Sequence, residues 1–194
     1  MTKLNSWKEH YWYTVPVMKK RIETIIDWTQ PEGKKIVEVG CNEGFVSKAL
    51  MENGGIVTPV DYSLEMQSKA KEIFDLDVVI GDIQALPFED QSFDIALGCE
   101  VLEHIYNPFK GLSELFRVAR EKVIITVPVG EYWLGERTHQ WELNGGFIKH
   151  DTAEVYYADK DILFICFTRR RDNGYVDIPP FKTESIIQKY NIGK

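Results

Sequence analysis

The hydrophobic pattern of this chain changes period near residue 35. Before that point, Ile22, Ile25, Ile26 and Thr29 fall on one helical face, so Thr14–Thr29 reads as a helix with Pro16 in its first turn and Thr14 as a cap. Pro31-Glu32-Gly33 ends it. Short apolar runs then alternate with helical stretches. Strands are predicted at Lys35–Val39, Ile56–Val60, Val78–Ile80, Phe93–Leu97 and Lys122–Val127. Helices are predicted at Phe45–Glu52, from Ser63 to about Phe74, and at Pro108–Ala119, where Phe109, Leu112, Leu115 and Phe116 form an apolar stripe. Such alternation means parallel strands joined by crossovers, with helices on both faces of the sheet.

The alternation fails after the fifth strand. Residues 129–151 carry Gly130, Gly135, Gly145 and Gly146 and make a poor helix. Ala153–Tyr157 and Ile162–Thr168 flank a polar turn and read as an antiparallel hairpin at the sheet edge. The tail is expected to be irregular, with a short helix near Thr183–Tyr190.

In an open parallel sheet, ligands bind beyond the carboxyl ends of the strands. The residues there are distinctive. The first strand runs into Glu38-Val39-Gly40-Cys41-Asn42-Glu43-Gly44. Glycines at this place let the backbone approach a nucleotide closely, and Asn42 tolerates the left-handed conformation better than other side chains. An ordinary tight turn is the alternative. The second strand ends in Asp61, 23 residues after Glu38, where an acid accepts from ribose hydroxyls and repels a 2′-phosphate; it would equally serve as a helix cap. Asp82, after the third strand, could accept from an exocyclic adenine amine or close an Asx-turn.

Taken together, IVEVGCNEGFVSKAL, PVDYS and IGDIQALPFEDQSFDIALGCEVLEHIYNP resemble a class I S-adenosylmethionine-dependent methyltransferase, nearest to the small-molecule branch that includes ubiquinone-pathway enzymes. The resemblance spans about Ile36 to Pro128. It implies a Rossmann-like, seven-stranded, mostly parallel sheet with an antiparallel edge hairpin. It also implies S-adenosylmethionine as cofactor. The implied cofactor residues are Glu38, Gly40, Cys41, Asn42, Gly44 and Phe45 for the methionine side, Asp61 and Tyr62 for the ribose, Asp82 and Ile83 for the adenine, and Cys99 and Glu100 near the sulfonium. Asn42 stands where that family usually has Gly, and the helix normally found after the fifth strand is missing, which leaves the substrate side unassigned. The expected organisation is a single domain over 1–194: an N-terminal helical cap (1–30), a cofactor-binding core (35–128), and a substrate-side loop, edge hairpin and tail (129–194).

Charge and composition agree with this picture. The 194 residues carry a net charge of −7. Residues 36–159 hold 9 Lys/Arg against 22 Asp/Glu, while both ends are basic. An acidic centre suits a sulfonium cation and disfavours a broad nucleic-acid footprint. Cys41, Cys99 and Cys166 are far apart and form no CxxC pair, which argues against disulfides and a cysteine-based zinc site. No apolar run approaches the roughly 20 residues that span a bilayer, and no signal peptide is visible. A cytoplasmic enzyme with a small-molecule acceptor is expected.

The acceptor side has two candidate segments. Glu100-Val101-Leu102-Glu103-His104 follows the fourth strand, where Glu100 and His104 could share a helix face with Glu103 beside them. His139 lies in the atypical loop after the fifth strand. The four residues could hold a divalent ion. A similar ExxEH run with a later His occurs in ubiquinone-pathway O-methyltransferases and in small-RNA 2′-O-methyltransferases, which bind a metal with it. The same run also serves plain turn packing. His139 is therefore taken as general base, with Glu100 and His104 beside it and no metal assigned; His10 and His150 are weaker candidates. Trp7, Tyr11, Trp12, Tyr13, Tyr132, Trp133 and Trp141 are candidate walls of an acceptor site, or core filler. The reaction expected is methyl transfer to a hydroxyl on a sugar or aromatic ring. The alternatives are a metal-assisted RNA 2′-O-methyltransferase and a non-catalytic cofactor-binding regulator on the same fold.

Overall fold

The computed structural model describes residues 3–129, 138–143, 153–159, 162–168 and 186–188. Two short 3-10 turns (Trp7–Glu9, Tyr11–Thr14) lead into helix α1, Pro16–Thr29. The order is then β1 (Lys35–Val39), α2 (Phe45–Glu52), β2 (Ile56–Asp61), α3 (Leu64–Phe74), β3 (Val79–Ile80), β4 (Phe93–Cys99), α4 (Pro108–Val118) and β5 (Ala119–Pro128). Strands β6 (Trp141–Leu143), β7 (Ala153–Asp159), β8 (Ile162–Thr168) and β9 (Ile186–Gln188) follow.

The main sheet has the order β3-β2-β1-β4-β5-β8-β7. Its first five strands are parallel; β8 pairs antiparallel with β5, and β7 antiparallel with β8. The alternating α/β architecture and the antiparallel edge hairpin are thus as the sequence predicts. Alternation within each strand sorts side chains to two cores. Val37, Val39, Val123, Ile125 and Val127 face one side, where Leu112, Leu115 and Val118 of α4 cover them. Ile36, Ile95, Leu97 and Ile124 face the other, under α1, α2 and α3. Arg117 ties α4 to the loop beneath it, donating to the carbonyls of Phe88 (2.7 Å) and Leu86 (3.0 Å) while Glu114 accepts from the Leu86 N–H (2.9 Å).

Three local expectations are corrected. Thr14 does not cap α1: Val15 is the cap residue, without a side-chain bond, and Thr14 Oγ1 donates back to the Tyr11 carbonyl. The tail segment expected to be helical contains β9, which pairs antiparallel with β6; Ile186 and Ile187 are β-branched and find a strand partner in Glu142–Leu143. Leu102–His104 is a single 3-10 turn, and Glu100 sits at φ +53°, so Glu100 and His104 do not share a helix face. Of the stretch 129–151, only Val129 and 138–143 lie within the described residues; the expected absence of a helix elsewhere in it falls outside them.

The order of strands places a switch point at β1. The chain leaves β1 for β2 on one side, and β4 lies on the other. A crevice opens at the carboxyl ends of such a pair, and the candidate residues gather there.

Candidate active site

The loop after β1 is shaped by three residues with left-handed backbone: Gly40 (φ +77°), Asn42 (φ +51°) and Gly44 (φ +83°). A Cβ on Gly40 would stand 2.9 Å from Val101 Cγ2, so glycine is required there for packing as well as conformation. Asn42 occupies the left-handed region that the sequence assigned to it. The Gly40 and Cys41 N–H groups donate to the Val60 carbonyl at 2.8 and 3.0 Å, which pins the loop to β2.

Asp61 completes this pinning. It is 5% exposed, and its two oxygens accept from different backbone amides, Asn42 N and Ser63 N, each at 2.9 Å. Asp61 thus organises the glycine loop and the start of α3 together. The formal cap of α3 is Ser63, whose hydroxyl accepts from Met66 N. Asp82 is exposed and accepts from Gln84 N at 2.8 Å, the Asx-turn geometry; Ile83 beside it is buried, and Tyr62 is 82% exposed.

Between the β1 loop and the end of β4 lies a cavity of about 450 Å³. Glu38, Gly40, Cys41, Asn42 and Phe45 line it together with Cys99, Glu100, Glu103, His104 and His139. Asp61, Tyr62, Asp82 and Ile83 are not among its lining residues. Glu38 is buried, and its carboxylate meets the Ser47 hydroxyl. Burial lifts the Glu38 carboxyl to about 8, against the opposing pull of Ser47 and the Arg21 charge. Burial likewise pushes the Cys99 thiol up to about 12.

The acceptor-side residues converge. Glu103 is fully buried, and neither carboxylate oxygen has a hydrogen-bond partner among the described residues. Burial first, then the neighbouring Glu100 charge, raises its pKa well above the usual carboxylate range. Its Oε1 lies 3.7 Å from His104 Nε2. His139 is 4% exposed, and its ring centroid is 4.8 Å from that of His104. Donor atoms of Glu103, His104 and His139 all lie within 4.8 Å of one another. Gln140 holds the two segments together: its N–H donates to the Glu103 carbonyl (2.7 Å) and its side-chain amide to the His104 carbonyl (2.9 Å). The left-handed turn at Glu100 is the reason Glu103, rather than Glu100, joins the two histidines.

Other candidates fall elsewhere. His10 is buried against Phe45 and Phe74, with Nε2 3.3 Å from Glu43 Oε2 and Nδ1 accepting from Trp12 N; it braces the N-terminal segment on the glycine loop. His150, Tyr132 and Trp133 lie outside the described residues. Trp12 borders the cavity, whereas Trp7 is buried edge-on to Tyr13 and Phe45, the core-filler role. Sequence reasoning missed Arg21. It projects from α1 into the cavity, is 8% exposed, and stands 4.0 Å from Glu100. The signal was available: a cation on the same helical face as Ile22 and Ile25.

The donor set fits S-adenosylmethionine. The site combines an open glycine loop, a buried acid joining that loop to β2, and the Glu43 and Glu100 carboxylates at the cavity, which favour a cation. Comparison with known proteins agrees. Residues 37–127 match the family described as a methyltransferase domain. A ubiquinone biosynthesis O-methyltransferase of Coxiella burnetii is 28% identical over 176 residues, covering 73% of this chain and 74% of that protein. A malonyl-[acyl-carrier protein] O-methyltransferase of Erwinia billingiae is 35% identical over 91 residues, covering 46% of this chain but only 36% of that protein. For fold alone, a Pyrococcus horikoshii protein superposes with TM-score 0.69 at 15% identity over 85% of this chain and 95% of its own. An Aquifex aeolicus SAM-dependent methyltransferase gives 0.52 at 19% identity, over 75% of this chain and 87% of its own. Residues 37–127 match a methyltransferase domain, and the sheet order, the glycine-loop geometry and the acid at the end of β2 are similar to those of the class I S-adenosylmethionine-dependent methyltransferases.

Proposed function

We propose that the chain is an O-methyltransferase for a small-molecule hydroxyl on an aromatic ring or a sugar, with 1–194 acting as one catalytic domain. The observation that carries this reading is the shared cavity: His139, His104 and Glu103 line it together with Gly40, Cys41 and Asn42 of the glycine loop. S-adenosylmethionine supplies an electrophilic methyl group. The chain supplies position, since in-line displacement gains most from holding the two partners in near-attack geometry. Gly40, Asn42 and Asp61 would hold the donor's nucleoside and amino-acid portions, and Asp82 and Ile83 its base. A hydroxyl is a poor nucleophile until it loses its proton, and His139 is placed to take it. Buried Glu103 lies against His104, and buried His139 stands beside that ring.

A second reading has an observation of its own. Glu103 offers two buried oxygens without partners among the described residues, beside two imidazoles, and this set could take a divalent cation that would lower the hydroxyl's pKa directly. An RNA acceptor is disfavoured, because Glu43 and Glu100 border the cavity and a phosphate backbone calls for the opposite charge.

The test is transfer of labelled methyl from S-adenosylmethionine to a panel of catechols, phenols and sugars, with a small RNA included. Labelled methyl ether on a phenol or sugar, with equimolar S-adenosylhomocysteine, supports the reading. Label on RNA alone, or on a carbon or nitrogen atom, contradicts it.

A further inference from the structure

His10 is not a lining residue of the cavity, yet it holds two residues that are. Its ring is 3% exposed and packs on Tyr11, on Phe45 of α2 and on Phe74 of α3, with centroids 4.7, 5.3 and 5.5 Å away. Nδ1 accepts from the Trp12 N–H at 3.3 Å and so caps the 3-10 turn Tyr11–Thr14. Nε2 lies 3.3 Å from Glu43 Oε2 on the glycine loop. Trp12 and Glu43 both line the cavity. One imidazole therefore joins the N-terminal segment to the glycine loop, with one nitrogen on each.

These two contacts fix the state of the ring. A nitrogen that accepts a hydrogen bond carries no proton, so the hydrogen of the neutral ring is on Nε2, where it donates to Glu43. A proton added at Nδ1 would face the Trp12 N–H and take away its acceptor. The imidazolium would gain attraction to Glu43, but burial outweighs this and lowers the His10 pKa from its ordinary 6.5. Lys69 of α3, paired with Glu65 at 2.9 Å, acts on Glu43 and on Tyr11, while Phe45 and Phe74 bring no charge. The segment has further ties of other kinds: Leu4 N–H donates to the Ile73 carbonyl (2.7 Å), and Ser6 Oγ donates to Glu52 (2.7 Å). Within residues 3–14, His10 is the side chain that ordinarily titrates between about pH 5 and 7.

We propose that His10 is a positioning residue and an acid-sensitive latch: its neutral ring closes the N-terminal segment onto the glycine loop, and protonation at Nδ1 frees Trp12 and opens that side of the cavity. Closure is complete where the ring is neutral in both the open and the closed state, and it weakens as pH falls below 6.5. One proton is taken up per opening, so the opening equilibrium rises by at most about tenfold per pH unit. The latch rests on the methyltransferase reading for what the cavity binds, but its first test uses no ligand.

That test is hydrogen exchange of the peptide covering residues 3–14 in the whole chain, from about pH 7.5 to 5.5 and corrected for intrinsic exchange, in wild type and in His10→Asn. Asparagine keeps an acceptor for the Trp12 N–H and cannot titrate. Wild-type protection should fall by up to about tenfold per pH unit below 6.5, and that of His10→Asn should stay flat. A flat wild-type profile, or equal slopes in the two proteins, overturns the latch. The nitrogen shifts of the wild-type imidazole decide it without a variant: a neutral ring protonated at Nε2 that titrates below 6.5 supports the latch, and a ring protonated at Nδ1, or titrating at or above 6.5, overturns it. Wild-type affinity for S-adenosylhomocysteine, divided by that of His10→Asn, should fall over the same range, and a constant ratio overturns the link to the cavity. Wild type that binds no S-adenosylhomocysteine at any pH would sink the methyltransferase reading, and the exchange profiles would still decide the latch.

Discussion

Replacing Asp61 by alanine should weaken the fold and the cofactor site together, and the structure sets the scale of each effect. Two backbone N–H groups, those of Asn42 and Ser63, donate to the carboxylate at 2.9 Å. A hydrogen bond to a charged group contributes about 1.5–3 kcal/mol when its partner is left dry. Asn42 is exposed and Ser63 half-buried, so water can reach both amides after truncation and recover part of that loss. We therefore expect a stability loss of about 2–4 kcal/mol in urea unfolding for Asp61→Ala, and about half of that for Asp61→Asn, which keeps one acceptor. Affinity for S-adenosylhomocysteine should fall by roughly 10- to 100-fold, through a lost ribose contact and a loosened glycine loop. The two causes separate with a 2′,3′-dideoxy analogue: wild type should discriminate against it, and Asp61→Ala should not. Unchanged stability and unchanged affinity in Asp61→Ala would refute the reasoning. Discrimination that persists in the variant would remove the ribose from Asp61 and leave it a loop-organising residue.

Glu103 is held neutral by burial, so above about pH 4.5 the native state binds more protons than the unfolded chain. Stability must then fall as pH rises toward the folded-state pKa. Glu103→Gln cannot titrate and should gain on wild type by at most about 1.4 kcal/mol per pH unit over that range, measured by denaturant unfolding; parallel pH profiles would contradict the assignment. Glu38, raised to about 8, is largely protonated at pH 7, and a bound sulfonium would draw its proton off. Titration of S-adenosylmethionine in buffers of different ionisation enthalpy should therefore show release of up to about one proton, absent in Glu38→Gln; a buffer-independent heat would refute this. His139→Ala should lower the transfer rate by about 10²–10⁴-fold, with a wild-type rate that ignores chelators. Loss of activity with chelator and recovery with Mg²⁺ or Mn²⁺ would instead establish the cation reading, and full activity in His139→Ala would remove both.

The core was legible because period and punctuation agree there. Pro31-Glu32-Gly33 and Asn53-Gly54-Gly55 mark element ends, and buried runs such as Ile36–Val39 leave little choice of element. The glycine loop and Asp61 were legible because the chemistry of the strand ends fixes their spacing. The grouping of Glu103, His104 and His139 was only partly so. Spacing suggested a helix face through Glu100, but a left-handed residue interrupts it, and conformations of this kind at non-glycine positions leave little trace in hydrophobic pattern. Strand β9 was missed because a three-residue strand has no periodicity to read and owes its existence to the distant partner Trp141–Leu143. Arg21 was missed because a charge at the margin of an amphipathic face usually snorkels to water, and only the tertiary packing of α1 over β1 and β4 turns this one inward.

The central claim is that donor and acceptor machinery share the cavity at the β1–β4 switch point. A crystal structure with S-adenosylhomocysteine bound tests it most directly. The account predicts the ligand between the Gly40–Gly44 loop and Glu100, its ribose hydroxyls at Asp61 and its sulfur facing the space in front of His139 and His104. A ligand bound elsewhere on the molecule, or one whose sulfur faces away from His139, would contradict it.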